Sequence, residues 1–112
     1  SESLMAWVKE KFDAVGGDYD VEFQITGEAF LTPPGKLSSL LSEAVEQATG
    51  LKPDLSTTGG TSDARFIKDF CPIAEFGLIS QSMHKVDECA RLSDMEQLTD
   101  IYETFLDGYF AE

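Results

Sequence analysis

Residues 18–26 read DYDVEFQIT and alternate without a break. Tyr19, Val21, Phe23 and Ile25 fall on one side; Asp20, Glu22, Gln24 and Thr26 fall on the other. A period of two predicts a strand with one apolar and one wet face. The preceding stretch has another period. In SLMAWVKEKFDAV, residues 3–15, Leu4, Val8, Phe12 and Val15 recur at helical spacing with Met5 and Trp7 alongside, and Gly16-Gly17 ends the pattern. The N-terminal part therefore predicts a helix running into a strand.

Beyond Thr26 the character changes. GEAFLTPPG, residues 27–35, carries Gly27 and the Pro33-Pro34-Gly35 run and predicts a connector at a domain boundary. KLSSLLSEAVEQATG, residues 36–50, returns to helical spacing: Leu37, Leu40, Leu41, Ala44, Val45 and Ala48 form one stripe, and Gly50 ends it. KPDLSTT, residues 52–58, predicts a short strand. SDARFIKDF, residues 62–70, predicts a helix of about two turns, which Ser62 or Asp63 can cap by accepting from an orphan N–H. PIAEFGLI, residues 72–79, is almost wholly apolar and predicts a strand covered on both faces, with Cys71 buried just before it. SDMEQLTDIYETFLDGYF, residues 93–110, is the clearest helix. Ser93 and Glu96 make a capping-box pattern, and Met95, Leu98, Ile101, Tyr102, Phe105, Leu106 and Tyr109 mark a core face. The predicted order is α-β-α-β-α-β-α, and such alternation implies an α/β layered fold.

Composition excludes several partners. The 112 residues hold 21 acids against 8 bases, a formal net charge of −13. Phosphate binding needs clustered Lys and Arg, so neither nucleic acid nor an anionic membrane is the expected partner. The acids read as solvated helix faces. No stretch approaches the roughly 18 apolar residues of a membrane-crossing helix. Residues 1–15 carry charges throughout, so no signal peptide is expected. Cys71 and Cys89 form no CxxC pair, which points away from a disulfide framework and toward a reducing cytoplasm.

Two places carry the candidate chemistry. Thr57 to Asp63, TTGGTSD, puts two glycines and four hydroxyls between a predicted strand and a predicted helix start. Such a loop offers backbone N–H groups and hydroxyls to an anion, and it reads equally as a structural turn. It lacks the Gly-Lys-Ser/Thr ending of a P-loop. The other place is His84, the only histidine. A lone histidine is a surface residue or a ligand. Asp87 and Glu88 can orient a metal-bound imidazole, and Asp63, Glu75, Asp87 and Glu88 can ligate in principle, but no ligand spacing links them. If His84 binds a metal, most of the site comes from elsewhere. Nothing brings Ser and Asp onto His84 as a nucleophilic triad, and Cys89 is not read as a nucleophile.

TTGGTSDARFI (57–67), EFG (75–77) and MHKVDEC (83–89), followed by a capped last helix, resemble the C-terminal end of the M20 family of dizinc amidohydrolases. That end commonly runs TTGGTSDGRFI, then E-[LF]-G, then IHKVNE. By this resemblance residues 1–31 are similar to the closing helix and strand of the family's lid or dimerisation domain. Residues 32–112 are similar to the C-terminal part of its zinc-peptidase-like catalytic domain. The resemblance implies an amide hydrolase with two zinc ions per active site, which activate a bridging water while a glutamate takes its proton. It points to cleavage of N-succinyl-L,L-diaminopimelate, a small-molecule step in lysine and peptidoglycan synthesis. An unpaired strand edge at 18–26, or an apolar face that a missing segment would cover, predicts self-association, so a homo-oligomer is expected. The resemblance implies His84 as the single zinc ligand supplied by this chain, with Gly60, Thr61 and Ser80 as substrate contacts. Arg65 can assist there, although its residue-level reading favours a structural ion pair. Ser80 stands where many members have Asn or Gly, Ala64 replaces a common Gly, and Asp87-Glu88 replaces Asn-Glu. The other ligands and the catalytic glutamate belong to a segment nothing here matches, so the chain alone is expected to be inactive. Two further readings stay open: another M20 amidohydrolase, such as an acetylornithine deacetylase or a carboxypeptidase, and a non-catalytic α/β binding module.

Overall fold

The structure is a computed structural model that describes residues 1–58, 60, 62–79 and 81–111. Contacts divide the chain into two compact units, Ser1–Phe30 and Leu31–Glu112.

In the first unit, helix α1 spans Glu2–Val15. Its C-terminus is closed by Gly16, whose N–H reaches the Phe12 and Asp13 carbonyls at 3.1 and 3.2 Å. Gly16 has φ 78° and Gly17 φ 95°, values that side chains with a Cβ rarely adopt. The reversed chain lays Tyr19 against Phe12, ring centroids 5.0 Å apart, and the Tyr19 hydroxyl donates to Asp13 Oδ1 at 2.7 Å. Lys9 Nζ sits 5.9 Å from the centre of the Phe23 ring. No residue of α1 is fully buried.

The predicted α/β order is not what folds. Among the described residues there is no strand, and the only regular elements are helices. Residues 18–26, 52–58 and 72–79 all lack the ladder assigned to them. The 18–26 stretch keeps part of its alternation, since Val21 and Phe23 are half-buried while Glu22 and Gln24 are exposed. Alternation decides which side chains seek cover. A strand also needs a second segment to pair its N–H and C=O groups, and no described residue supplies one.

The second unit is built on two helices, α2 over Lys36–Thr49 and α4 over Leu92–Phe110, with a single helical turn, α3, at Ala64–Ile67. Helices α2 and α4 pack on each other. Ala44, Val45 and Ile101 are buried between them, and Leu41, Ala48, Phe76 and Phe105 pack around these three. The whole α2 stripe is at least half-buried, as its spacing predicts. The α4 face is not: Ile101 is 2% exposed, but Met95, Tyr102, Leu106 and Tyr109 remain 41–48% exposed.

The helix ends follow local rules with one exception. Ser38 Oγ accepts the Gly35 N–H at 2.9 Å where α2 begins, and Gly50, at φ 70°, closes it through its N–H to the Glu46 carbonyl at 2.8 Å. The expected capping box of α4 does not form. The helix starts two residues early, at Leu92, with Arg91 rather than Ser93 in the cap position, so Ser93 lies inside the first turn and no described side chain caps the end. Segment 72–79 runs over the helix pair without regular structure. The Tyr102 hydroxyl donates to the Phe76 carbonyl and holds that point down. Cys71 is exposed rather than buried, because the covered strand it was expected to precede does not form.

Candidate functional site

The segment after α2 leads to the threonine-glycine loop. Ser56 Oγ and Thr58 Oγ1 share a hydrogen bond at 3.0 Å, and Thr57, Thr58 and Gly60 are exposed. A Cβ built at Gly60 would meet nothing within 4 Å among the described residues, so their packing does not require glycine there. Of the two candidate caps, Ser62 is the one used: its Oγ accepts the Ala64 N–H at 3.1 Å. Asp63 makes no such bond. Ala64 is buried beneath the turn. Thr61, an expected substrate contact, lies outside the described residues, as does Ser80.

Arg65 departs from its expected ion pair. Its guanidinium carbon lies 4.7 Å from the centre of the Phe66 ring, and no acid among the described residues pairs with it. Its Nε is buried without a hydrogen-bond partner among the described residues. A planar guanidinium stacked on a ring keeps its donor edge available for a planar acceptor.

His84 is carried on a loop of bends and turns over residues 81–87. Ser82 closes this loop. Its Oγ donates to the Cys89 carbonyl at 2.7 Å and accepts the Cys89 N–H at 3.0 Å. Inside the loop, the Lys85 N–H reaches the Ser82 carbonyl at 3.0 Å, and Lys85 Nζ reaches the Gln81 carbonyl at 2.7 Å. His84 has φ 62° and Asp87 φ 60°, the left-handed region that residues other than glycine enter at a cost. The histidine is exposed. Glu88 does not orient the imidazole as expected; its Oε2 faces the His84 backbone N–H at 3.4 Å. Sequence reasoning missed Ser82, and a contact across seven residues leaves no local signal to find.

Among the described residues, no hydrogen bond joins residues 57–62 to residues 82–89. Nor do any three His, Cys, Asp or Glu side chains gather where they could hold a metal ion. A zinc centre takes three or four protein ligands, so these residues do not make one alone. They offer one solvent-facing imidazole on a braced loop, an open glycine-hydroxyl loop and an uncommitted guanidinium. No described helix is long and apolar enough to cross a membrane.

Comparison with known proteins gives this partial site its context. Residues 4–108 match the sequence model of peptidase family M20/M25/M40. The chain is 54% identical over 110 residues to a succinyl-diaminopimelate desuccinylase of Rhodospirillum centenum, covering 98% of this chain and 28% of that protein. It is 51% identical over 113 residues to proteins of the same name from Roseobacter denitrificans and Parvibaculum lavamentivorans, covering 97% of this chain and 30% and 29% of theirs. The chain thus spans less than a third of the length of the curated relatives it matches. The family match runs through nearly every residue, including both the glycine-hydroxyl loop and the His84 loop, and the chain belongs to peptidase family M20/M25/M40.

Proposed function

We propose that these residues are the C-terminal piece of an amide hydrolase that cleaves N-succinyl-L,L-diaminopimelate to succinate and L,L-diaminopimelate. The observation that carries this reading is the 54% identity to a succinyl-diaminopimelate desuccinylase over 98% of the chain. Residues 1–31 are the end of a lid domain and 32–112 part of the catalytic domain, a reading supported by the separation of compact units at Phe30 and Leu31.

His84 is the one imidazole this chain lends to a zinc site completed by residues outside it. A metal held there supplies a Lewis acid for the amide carbonyl and an acidified water. The chain's own residues do the positioning. Ser82 fixes the ends of the loop, so that His84 is presented at its tip rather than folded against the chain. Gly60 leaves space for a ligand to approach the backbone, and Thr61 and Ser80 are further substrate contacts. The substrate is anionic, and the Arg65 guanidinium stacked on Phe66 offers it a bidentate donor edge. The net charge of −13 makes such a local cation matter for recognition. By itself the chain is inactive. The intact protein works in the cytoplasm as a homo-oligomer, and α1, whose Leu4, Trp7 and Phe12 remain 48–61% exposed, offers apolar surface for association. A monomer in sedimentation at high concentration would count against that part.

The test is a chimera in which residues 1–112 replace the matching segment of the Rhodospirillum centenum relative. The chimera should hydrolyse N-succinyl-L,L-diaminopimelate in preference to N-acetylornithine, and His84→Ala should reduce the rate at least 100-fold. Preference for N-acetylornithine, or full activity without His84, overturns the reading.

A further inference from the structure

The second unit leaves an apolar groove that its own residues do not fill. It has a volume of about 340 Å³ and is lined by Leu37, Leu41, Ala74, Glu75, Phe76, Tyr102 and Phe105. Its floor is continuous with the packed centre, since Leu41, Phe76 and Phe105 also pack against Ala44, Val45 and Ile101. Its polar complement is small. The Tyr102 hydroxyl is already spent on the Phe76 carbonyl, which leaves Glu75, among the described residues, as the only side chain there with polar atoms uncommitted. Small-molecule sites pair an apolar wall with several placed polar groups that fix orientation. This groove lacks them, so its chemistry suits apolar side chains of a polypeptide.

The centre itself argues for a cover. The fully buried apolar residues of the described chain are only Ala44, Val45, Ala64 and Ile101, while Leu51, Leu55, Phe70, Ile79 and Val86 stay 62–92% exposed. The groove's own Leu37, Leu41, Phe76 and Phe105 are only partly buried and its Tyr102 is 41% exposed, so this contiguous apolar lining is left without a cover. The relatives in which 97–98% of this chain is matched are more than three times its length, which says where the cover comes from. We infer that the Leu37–Phe76–Phe105 groove is the docking surface for an apolar segment of the same polypeptide outside these 112 residues, and that docking fixes segment 74–76 over α2 and α4. This rests on the chain being a piece of a longer M20 enzyme, and it goes further by naming where the two parts meet.

The test compares amide hydrogen exchange at Ala74, Glu75 and Phe76 in the isolated chain and in the chimera with the Rhodospirillum centenum relative. None of these three amides donates a backbone hydrogen bond outside helices among the described residues, so exchange in the isolated chain should be fast. In the chimera it should slow at least 100-fold. Leu37→Asp in the chimera should abolish that protection, while the same change in the isolated chain leaves helix content unaltered, because Leu37 is only half-buried in the first turn of α2. Equal exchange in the two proteins, or protection that survives Leu37→Asp, overturns the inference. An unfolded chimera also counts against it, since a groove shaped for that segment accepts a close relative's. Hydrolysis is read in the same samples. Protection without hydrolysis defeats the substrate assignment alone; hydrolysis without protection defeats the docking surface alone.

Discussion

Ser82 and Cys89 hold the His84 loop shut through a two-way bond: Ser82 Oγ donates to the Cys89 carbonyl at 2.7 Å and accepts the Cys89 N–H at 3.0 Å. One hydroxyl thus fixes both ends of a segment that carries two residues at positive φ. Without it, the loop has less reason to keep His84 in the left-handed region. Ser82→Ala should cost about 0.5–1.5 kcal/mol for each bond lost, expressed locally as faster exchange of the Cys89 amide. Helix content should not change, because Ser82 lies outside every helix. Ser82→Thr keeps the hydroxyl and should restore slow exchange. Unchanged exchange in Ser82→Ala would mean that the loop is braced elsewhere.

Ile101 holds the second unit together more than any other side chain on α4. It is 2% exposed and sits with Ala44 and Val45 where the two helices meet. Truncation to Ala should cost about 2–5 kcal/mol, the usual range for a large-to-small change in a packed site. With so few buried neighbours, that loss should broaden or abolish the urea transition of the isolated chain. Met95→Ala, at a position 48% exposed, should cost much less. Equal losses would mean that α4 is not packed through Ile101.

Two glycines should respond in opposite directions. Gly50 ends α2 at φ 70°, and Ala there should destabilise by about 1–2 kcal/mol. Gly108 lies inside α4, where an added Cβ would meet Leu40 Cδ2 at 3.5 Å, an ordinary contact. Gly108→Ala should stabilise by about 0.5–1 kcal/mol through helix propensity. Thermal melts of the two variants decide this, and a destabilising Gly108→Ala would mean that α2 and α4 approach more closely than the contact indicates.

The helices were legible in the sequence because their causes are local. The spacing of Leu37, Leu41, Ala44, Val45 and Ala48, and a glycine at 50, are enough to place α2. The strands were misread because pairing is not local: DYDVEFQIT carries the alternation of a strand, yet no described residue completes its ladder. The same distinction divides the site. Ser62 and Asp63 both read as caps because a cap acts a residue or two away, and the structure uses the Ser62 hydroxyl, at Ala64. The Ser82–Cys89 bond and the Tyr102–Phe76 bond span seven and 26 residues, and nothing in the sequence marks them.

The first unit should be sensitive to pH at both extremes. The Tyr19 hydroxyl donates to Asp13, and this bond, with lesser help from desolvation and carboxylate repulsion, raises its pKa above the ordinary 10.0. A raised pKa stabilises the fold below the unfolded value, and the contribution disappears as pH rises through the folded one. Glu28 behaves oppositely. The bond from the Ser1 hydroxyl lowers its pKa below the ordinary carboxylate value, so its contribution is lost as pH falls through the folded pKa. Tyr19→Phe should remove the alkaline dependence and leave the acid one. A phenolate absorbance titration in which Tyr19 ionises at or below its ordinary value would contradict this.

Arg65 separates structural from substrate roles. A buried donor without a partner costs about 1–3 kcal/mol, so the Nε of Arg65 is a liability to this chain by itself. Arg65→Met keeps an apolar stem against Phe66 and removes the orphan donor. In the isolated chain it should leave stability unchanged or raise it by up to about 1 kcal/mol, as loss of an unsatisfied polar group can. In the chimera the same change should raise KM for N-succinyl-L,L-diaminopimelate about tenfold, the loss expected of roughly one charge-assisted bond, with kcat altered less. Arg65→Lys keeps the charge but not the planar fork, and it should recover only part of that loss. If Arg65→Met instead destabilises the isolated chain and leaves KM alone, the guanidinium serves the fold, and the stacking on Phe66 is its whole purpose.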